Sequence, residues 1–229
     1  MEPEQYEAWY QTRRGAWIGG IEYRLLDELL TPHSGETVLD VGCGTGHFTR
    51  RFSDSAAVAW TVGADIDFDM ARFAAARASA AYLVADGQRL PFADRSFDLV
   101  ISVTALCFMR DARRALTEML RVARRRVALG LLNRHSLLWL AKGRQGGCGA
   151  YRGAHWHTRR EVERLFAGQP ARNLTLRTAI VLPGGGPLAR WAEPHLGRAV
   201  ACCGAFLAVA ADVAAGTSLN QLPIQASTS

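Results

Sequence analysis

The sequence predicts an α/β fold, doubly wound around a mostly parallel sheet. Three observations carry this. Apolar runs of strand length alternate with helix-patterned segments between residues 37 and 131. The first run, Val38-Leu39-Asp40-Val41, leads directly into Gly42-Cys43-Gly44-Thr45-Gly46, with glycine at every second position. Three successive runs end in an acid: Asp40, Asp65 and Asp86. The carboxyl ends of strands in such a sheet face the ligand crevice, so these acids point to a binding site.

The elements follow in order. Residues 5–30 read as helical: Tyr6, Trp9 and Tyr10 cluster before Gly15, and Ile21, Leu25, Leu26, Leu29 and Leu30 form a helical stripe. Thr31-Pro32-His33-Ser34-Gly35 closes that segment. Strand 37–41 then runs into the glycine turn, where side-chain-free residues let the backbone bend sharply and a ligand approach it. The spacing is not that of the dinucleotide turn G-x-G-x-x-G. Asp40 would repel a pyrophosphate and suits a ligand bearing an ammonium group. A helix at about 47–53, strand 58–64, helix 68–78 and strands 81–85 and 98–103 come next. Helix 111–125, with Asp111 as its N-cap, precedes strand 126–131. Arg124-Arg125-Arg126 is read at that helix's C-terminus, where cations complement the dipole.

Residues 133–157 carry no period of their own beyond Leu137 to Ala141, and are rich in Gly, Arg, His and aromatics. A long irregular insertion after the fifth strand leaves the sheet on the ligand side and reads as a cap. Thr158-Arg159-Arg160-Glu161 is a capping box opening helix 158–167. Leu174–Leu182 and Gly204–Ala211 are the last two strands. Residues 1–215 are expected to form one domain, and 216–229 a disordered tail.

The chain has 229 residues, 49% of them hydrophobic, enough for a sizeable core. No apolar stretch reaches the ~18 residues that span a bilayer. The N-terminus, Met1-Glu2-Pro3-Glu4, is acidic and unlike a secretory signal. Five cysteines without C-x-x-C spacing imply a reduced, cytoplasmic protein with no zinc site. The net charge of +6 is uneven: residues 1–110 carry −5 and residues 111–229 carry +11. Lys142 is the one lysine among 27 basic residues, a bias that argues against selection for nucleic acid. The basic half suits an anionic partner or a solvated surface.

The motif V-L-D-V-G-C-G-T-G resembles motif I of class I S-adenosylmethionine (SAM)-dependent methyltransferases, in the form found in the ubiquinone/menaquinone-biosynthesis-like, type 11 branch. Val62-Gly63-Ala64-Asp65-Ile66-Asp67, Ala85-Asp86-Gly87 with Leu90-Pro91-Phe92, and Ser96-Phe97-Asp98-Leu99-Val100 follow in the order the family requires. The resemblance covers residues 35–131 firmly and the flanks more loosely. It implies a Rossmann-like seven-stranded sheet, mostly parallel with one antiparallel edge strand, the last two strands forming a hairpin-like edge. It implies SAM as cofactor and S-adenosylhomocysteine as product. By the same resemblance Gly42 and Gly44 form the cofactor loop and Asp40 faces the ligand. Asp65 holds the ribose diol with Asp67 as the runner-up. Ile66 and Met70 pack near the adenine. Asp86 accepts from its amino group and the backbone at Gly87 meets the ring edge. Carbonyls at the end of the fourth strand, at Val103, take the methionine ammonium. The pattern W-Y-x-T-x-x-G-x-W, followed by Glu22 and L-L-x-x-L-L, resembles the N-terminal segment that folds over the cofactor in one bacterial subgroup, which adds Tyr10, Arg14 and Trp17 to the residues expected at the site.

The implied activity is methyl transfer to a small-molecule acceptor, anionic or aromatic, with no membrane and no metal. His135, His155, His157 and Tyr151 in the cap are candidates for a base, and Cys107 reads as buried filler; no catalytic residue is assigned. Two alternatives stand beside this reading. One is an RNA or protein methyltransferase, which the basic second half favours and the absence of an N-P-P-Y-like tetrapeptide disfavours. The other is a non-catalytic SAM-binding protein. The acceptor atom and the oligomeric state are not legible.

Overall fold

A parallel strand covered on both faces has no polar side and reads as an unbroken apolar run. The computed structural model describes residues 2–77, 80–196 and 202–214. Its strands follow that rule. In β1 (Glu36–Val41), β4 (Phe97–Val103) and β5 (Ala123–Leu132), Leu39, Leu99, Ile101 and Leu129 are fully buried. With β2 (Val58–Asp65), β3 (Ala81–Val84), β6 (Ala171–Ala179) and β7 (Phe206–Val213) they form one seven-stranded sheet in the order β3-β2-β1-β4-β5-β7-β6. The first five strands in that order are parallel. β7 runs antiparallel between β5 and β6, so the sheet is mostly parallel and ends in an antiparallel edge. β6 is outermost, and its residues largely alternate between more and less accessible.

The helices are α1 (Pro3–Gln11), α2 (Arg13–Leu30), α3 (His47–Ser53), α4 (Phe68–Ala75), α5 (Ala112–Val122), α6 (Leu137–Lys142), α7 (Arg159–Phe166) and α8 (Pro187–Leu196). The segment predicted as one helix over 5–30 is two. Extended backbone at Thr12 breaks it, and the Thr12 hydroxyl accepts from Gly15 N–H to cap α2. Glycine is required there because a Cβ would lie 2.0 Å from the Trp9 carbonyl oxygen. The capping box of α7 forms as read, Thr158 accepting from Glu161 N–H and Glu161 from Thr158 N–H.

The end of α5 and the last two strands differ from expectation, and β6 begins at Ala171, three residues early. α5 stops at Val122 and β5 starts at once, so Arg124-Arg125-Arg126 lies in a strand rather than at a helix end. Each of these arginines meets an acid from another strand: Asp98 at 3.3 Å, Glu36 at 2.5 Å and Asp212 at 3.3 Å, respectively. The backbone of the segment pairs with β4 and β7, which places it in the sheet. β6 and β7 are not joined as a hairpin, because α8 intervenes. The insertion 133–157 holds α6, capped by Ser136, and short 3-10 turns. The predicted tail 216–229 lies outside the described residues, as do residue 215 and the predicted end of helix 68–78. No helix among the described residues is long and apolar enough to cross a membrane.

Candidate active site

The site begins where β1 gives way to α3. Gly42, Gly44 and Gly46 have φ of +76°, +53° and +79°, the left-handed region that glycine enters freely. At Gly42 the crowding is also absolute, because a Cβ would lie 2.1 Å from the Ala105 Cβ. The Gly42 and Cys43 amides both donate to the Ala64 carbonyl, tying the turn to the end of β2.

The three strand-end acids have different surroundings. Asp40 is 1% exposed and accepts from the Thr49 hydroxyl at 2.7 Å. Burial raises its pKa to about 7, opposed by the Thr49 bond and reinforced by the charge of Asp65. This acid therefore braces α3 and is enclosed, where the sequence reading had it facing a ligand's ammonium. Asp65 ends β2. One of its oxygens accepts from Gly44 N–H at 2.7 Å and the other from Asp67 N–H at 2.9 Å. Burial raises its pKa as well. A carboxylate has about four acceptor positions, so both oxygens retain capacity for a further donor. Asp67, the other acid considered for that role, is spent as the N-cap of α4, accepting from Asp69 and Met70. Asp86 accepts from the Gln88 backbone N–H at 2.8 Å and from its side-chain amide at 3.3 Å.

Beside these acids, Ile66 is 67% and Phe68 63% exposed, apolar surface left open at the strand tips. Met70 is half-buried on α4. Gly87 is buried, and a Cβ on it would meet Val41 and Met109 at 2.9 Å.

A cavity of about 440 Å³ opens at the ends of β4 and β5, under α1, α2 and the 133–157 cap. Of the expected site residues, Tyr10, Arg14 and Val103 line it; Asp40, Gly42, Gly44, Asp65, Ile66, Met70, Asp86 and Gly87 do not. The two regions meet at α1. Tyr6 lines the cavity, and its ring lies 3.5 Å from where a Gly44 Cβ would stand. Glu7 accepts from the Thr45 hydroxyl at 2.7 Å and pairs with Arg50, so α1 is fastened to the glycine turn. Tyr10 stacks on His47 at 3.6 Å between ring centroids. Burial, with help from Arg51 and Arg50, holds His47 neutral by lowering its pKa to about 3.

Among the cap residues considered as a base, only Tyr151 lines the cavity. His135 and His155 are exposed. His157 is buried outside the cavity lining, and its pKa falls to about 4. Trp17 stands outside the lining, with the Arg190 guanidinium 6.0 Å from its ring. Cys107 is buried as expected. Its sulfur accepts from Leu132 N–H, and burial pushes its pKa up to about 12.

Two further cavity residues, Thr104 and Glu22, were not among the residues expected at the site. Thr104, next to Val103, has a φ of +60°, strain that a bulky residue tolerates only where its surroundings hold it. Glu22 lines the cavity and has no hydrogen-bond or ion-pair partner among the described residues. Burial raises its pKa to about 8. Its position was readable: on α2 it falls in the series Ile18, Glu22, Leu26, Leu30, whose other members are buried. An acid on a buried helical stripe is an anomaly that calls for a reason.

Residues 39–129 match a family model described as a methyltransferase domain. The chain is 30% identical over 138 residues to an uncharacterized protein of Methanocaldococcus jannaschii, covering 59% of this chain and 61% of that one. It is 37% identical over 98 residues to a demethylmenaquinone methyltransferase of Thermobifida fusca, covering 40% and 41% of the two chains. The chain thus spans about three-fifths or less of the length of these relatives. Its fold is similar to that of a solved SAM-dependent methyltransferase of Thermotoga maritima, described as a possible histamine N-methyltransferase. The TM-score is 0.72, the identity 22%, and the coverage 91% and 94% of the two chains.

Proposed function

From a chain that carries a methyltransferase domain, we propose a SAM-dependent methyltransferase that acts on a small-molecule acceptor in the cytoplasm. The observation that carries the reading is the junction at α1: a glycine turn flanked by strand-end acids on one side, a 440 Å³ cavity on the other, with Tyr6 between them. The residues fit the cofactor. Gly42 and Gly44 keep the turn free of side chains, Asp65 has acceptor capacity for the ribose diol, and Ile66 offers an apolar face to the adenine. Asp86 and Gly87 would meet the ring edge, and the Val103 carbonyl would take the methionine ammonium. Bound there, SAM supplies a methyl group made electrophilic by its sulfonium. What remains for the protein is to align an acceptor and exclude water, and alignment alone contributes about 7–11 kcal/mol when the geometry is right.

The cavity volume suits a small organic molecule. The alternative of an RNA acceptor loses support because Arg124, Arg125 and Arg126 are all engaged with acids. The test is calorimetric titration with SAM, S-adenosylhomocysteine and NAD, followed by transfer of labelled methyl to an acceptor panel. Micromolar binding of both sulfur ligands and none of NAD is expected. Absence of binding would overturn the cofactor reading, and binding without any transfer would favour a non-catalytic protein.

A further inference from the structure

Glu22 is a carboxyl on an otherwise apolar stripe, and it faces the cavity with no partner among the described residues. An ionised carboxylate in such a place is costly unless a cation or several donors meet it. The charged and titratable groups around it do not supply one. Tyr6 and Tyr10 approach from α1 and Tyr151 from the cap; all three feel the Glu22 charge as repulsion, and their own pKa values rise in part because of it. Arg14 is hydrogen-bonded through Nε to the Pro183 carbonyl, and its charge acts on Tyr151. Lys142 lines the cavity from the end of α6. Neither cation pairs with Glu22.

We propose that Glu22 is the acceptor-binding carboxyl of this cavity, and that the acceptor it selects is a small aromatic or apolar amine. This rests on the methyltransferase reading above and names its substrate class. An ammonium brings the missing positive charge and three N–H donors. Glu22 accepts one, and the tyrosine hydroxyl oxygens around it are acceptors for the others. Tyr6, Trp9 and Tyr151 also line the cavity, and aromatic rings attract a cation. An alcohol offers a single donor and no charge, so it leaves the ionised carboxylate unmatched. Once bound, the ammonium proton passes to a Glu22 carboxylate oxygen, leaving the nitrogen lone pair free and the carboxyl neutral, the form that its surroundings favour.

The experiment uses the full chain saturated with S-adenosylhomocysteine and the matched probes 2-phenylethylamine and 2-phenylethanol, then tryptamine and tryptophol, by calorimetry. At pH 8 each amine is expected to bind at least tenfold more tightly than its alcohol. Glu22→Gln should erase that preference while affinity for S-adenosylhomocysteine stays within twofold. The wild-type protein provides a second reading that needs no variant. Lowering the pH to 5.5 keeps the amines cationic but protonates Glu22, and should reduce the preference at least tenfold. Equal binding of amine and alcohol, no binding of either amine, a preference that survives Glu22→Gln, or one unchanged at pH 5.5 would each overturn the proposal. Failure of S-adenosylhomocysteine to bind the wild-type protein would instead overturn the cofactor reading beneath it.

Discussion

Glu22 should cost the folded protein stability, and the cost should depend on pH in a defined direction. Its carboxyl titrates at about 8 in the folded chain against an ordinary value of 4.5, because burial disfavours the ionised form. The folded state therefore holds this proton more tightly than the unfolded state does. Below pH 4.5 both states are protonated and nothing is lost. Between pH 4.5 and 8 the unfolded chain gains by ionising and stability falls; above pH 8 the loss is complete. At about 1.4 kcal/mol per pH unit the ceiling is roughly 5 kcal/mol. The side chain is partly accessible through the cavity, so about half of that, roughly 2–3 kcal/mol, is the working expectation. Glu22→Gln keeps the shape and removes the ionisation. Thermal melts of both proteins should coincide at pH 4.5. At pH 8 the variant should melt about 4–12 °C higher, given roughly 2–4 °C per kcal/mol for a chain of this size. Other titrating groups, His47 among them, are common to both proteins and cancel in the difference. A gap of equal size at both pH values, or a variant less stable at pH 8, would refute the reasoning.

Other expectations concern the turn and the sheet. Asp65→Ala should weaken SAM binding roughly ten- to hundredfold, the worth of one or two hydrogen bonds to a charged group; unchanged affinity by calorimetry would remove Asp65 from the site. Gly44→Val puts a β-branched side chain at a φ of +53° and beside Tyr6. It should abolish SAM binding while the far-ultraviolet circular dichroism stays native, and normal affinity would mean that the turn is not the cofactor loop. Arg125 bonds both Glu36 oxygens and the Leu30 and Thr31 carbonyls at the end of α2. Arg125→Ala should cost about 1–3 kcal/mol in urea unfolding, and an unmoved midpoint would show that the pair is idle.

The parallel core was legible in the sequence because its strands are short apolar runs, the first three with a glycine or an acid at or just beyond the tip. The glycine turn was legible for the same local reason: its φ values follow from residue type. The segments that escaped depend on contacts distant in sequence. Arg124 and Arg125 find partners 26 and 89 positions away, so local charge logic assigned them to a helix end. α8 was hidden by its own composition, with glycines before it and Pro194 inside it. Asp40 looked like Asp65 as a strand-end acid, but Thr49 on the next helix closes over it. Glu22 stood in the N-terminal pattern, and its place as the acid that interrupts a buried stripe was the further signal for a role at the cavity.

One helix, α1, borders both the glycine turn and the cavity. Through Glu7 it is latched to Thr45 and Arg50 on the glycine turn, and through Tyr6, Trp9 and Tyr10 it closes the cavity beside it. Any swing of α1 that uncovers the turn also dismantles that side of the cavity. Access to the glycine turn and access to the cavity are therefore expected to change together, through α1.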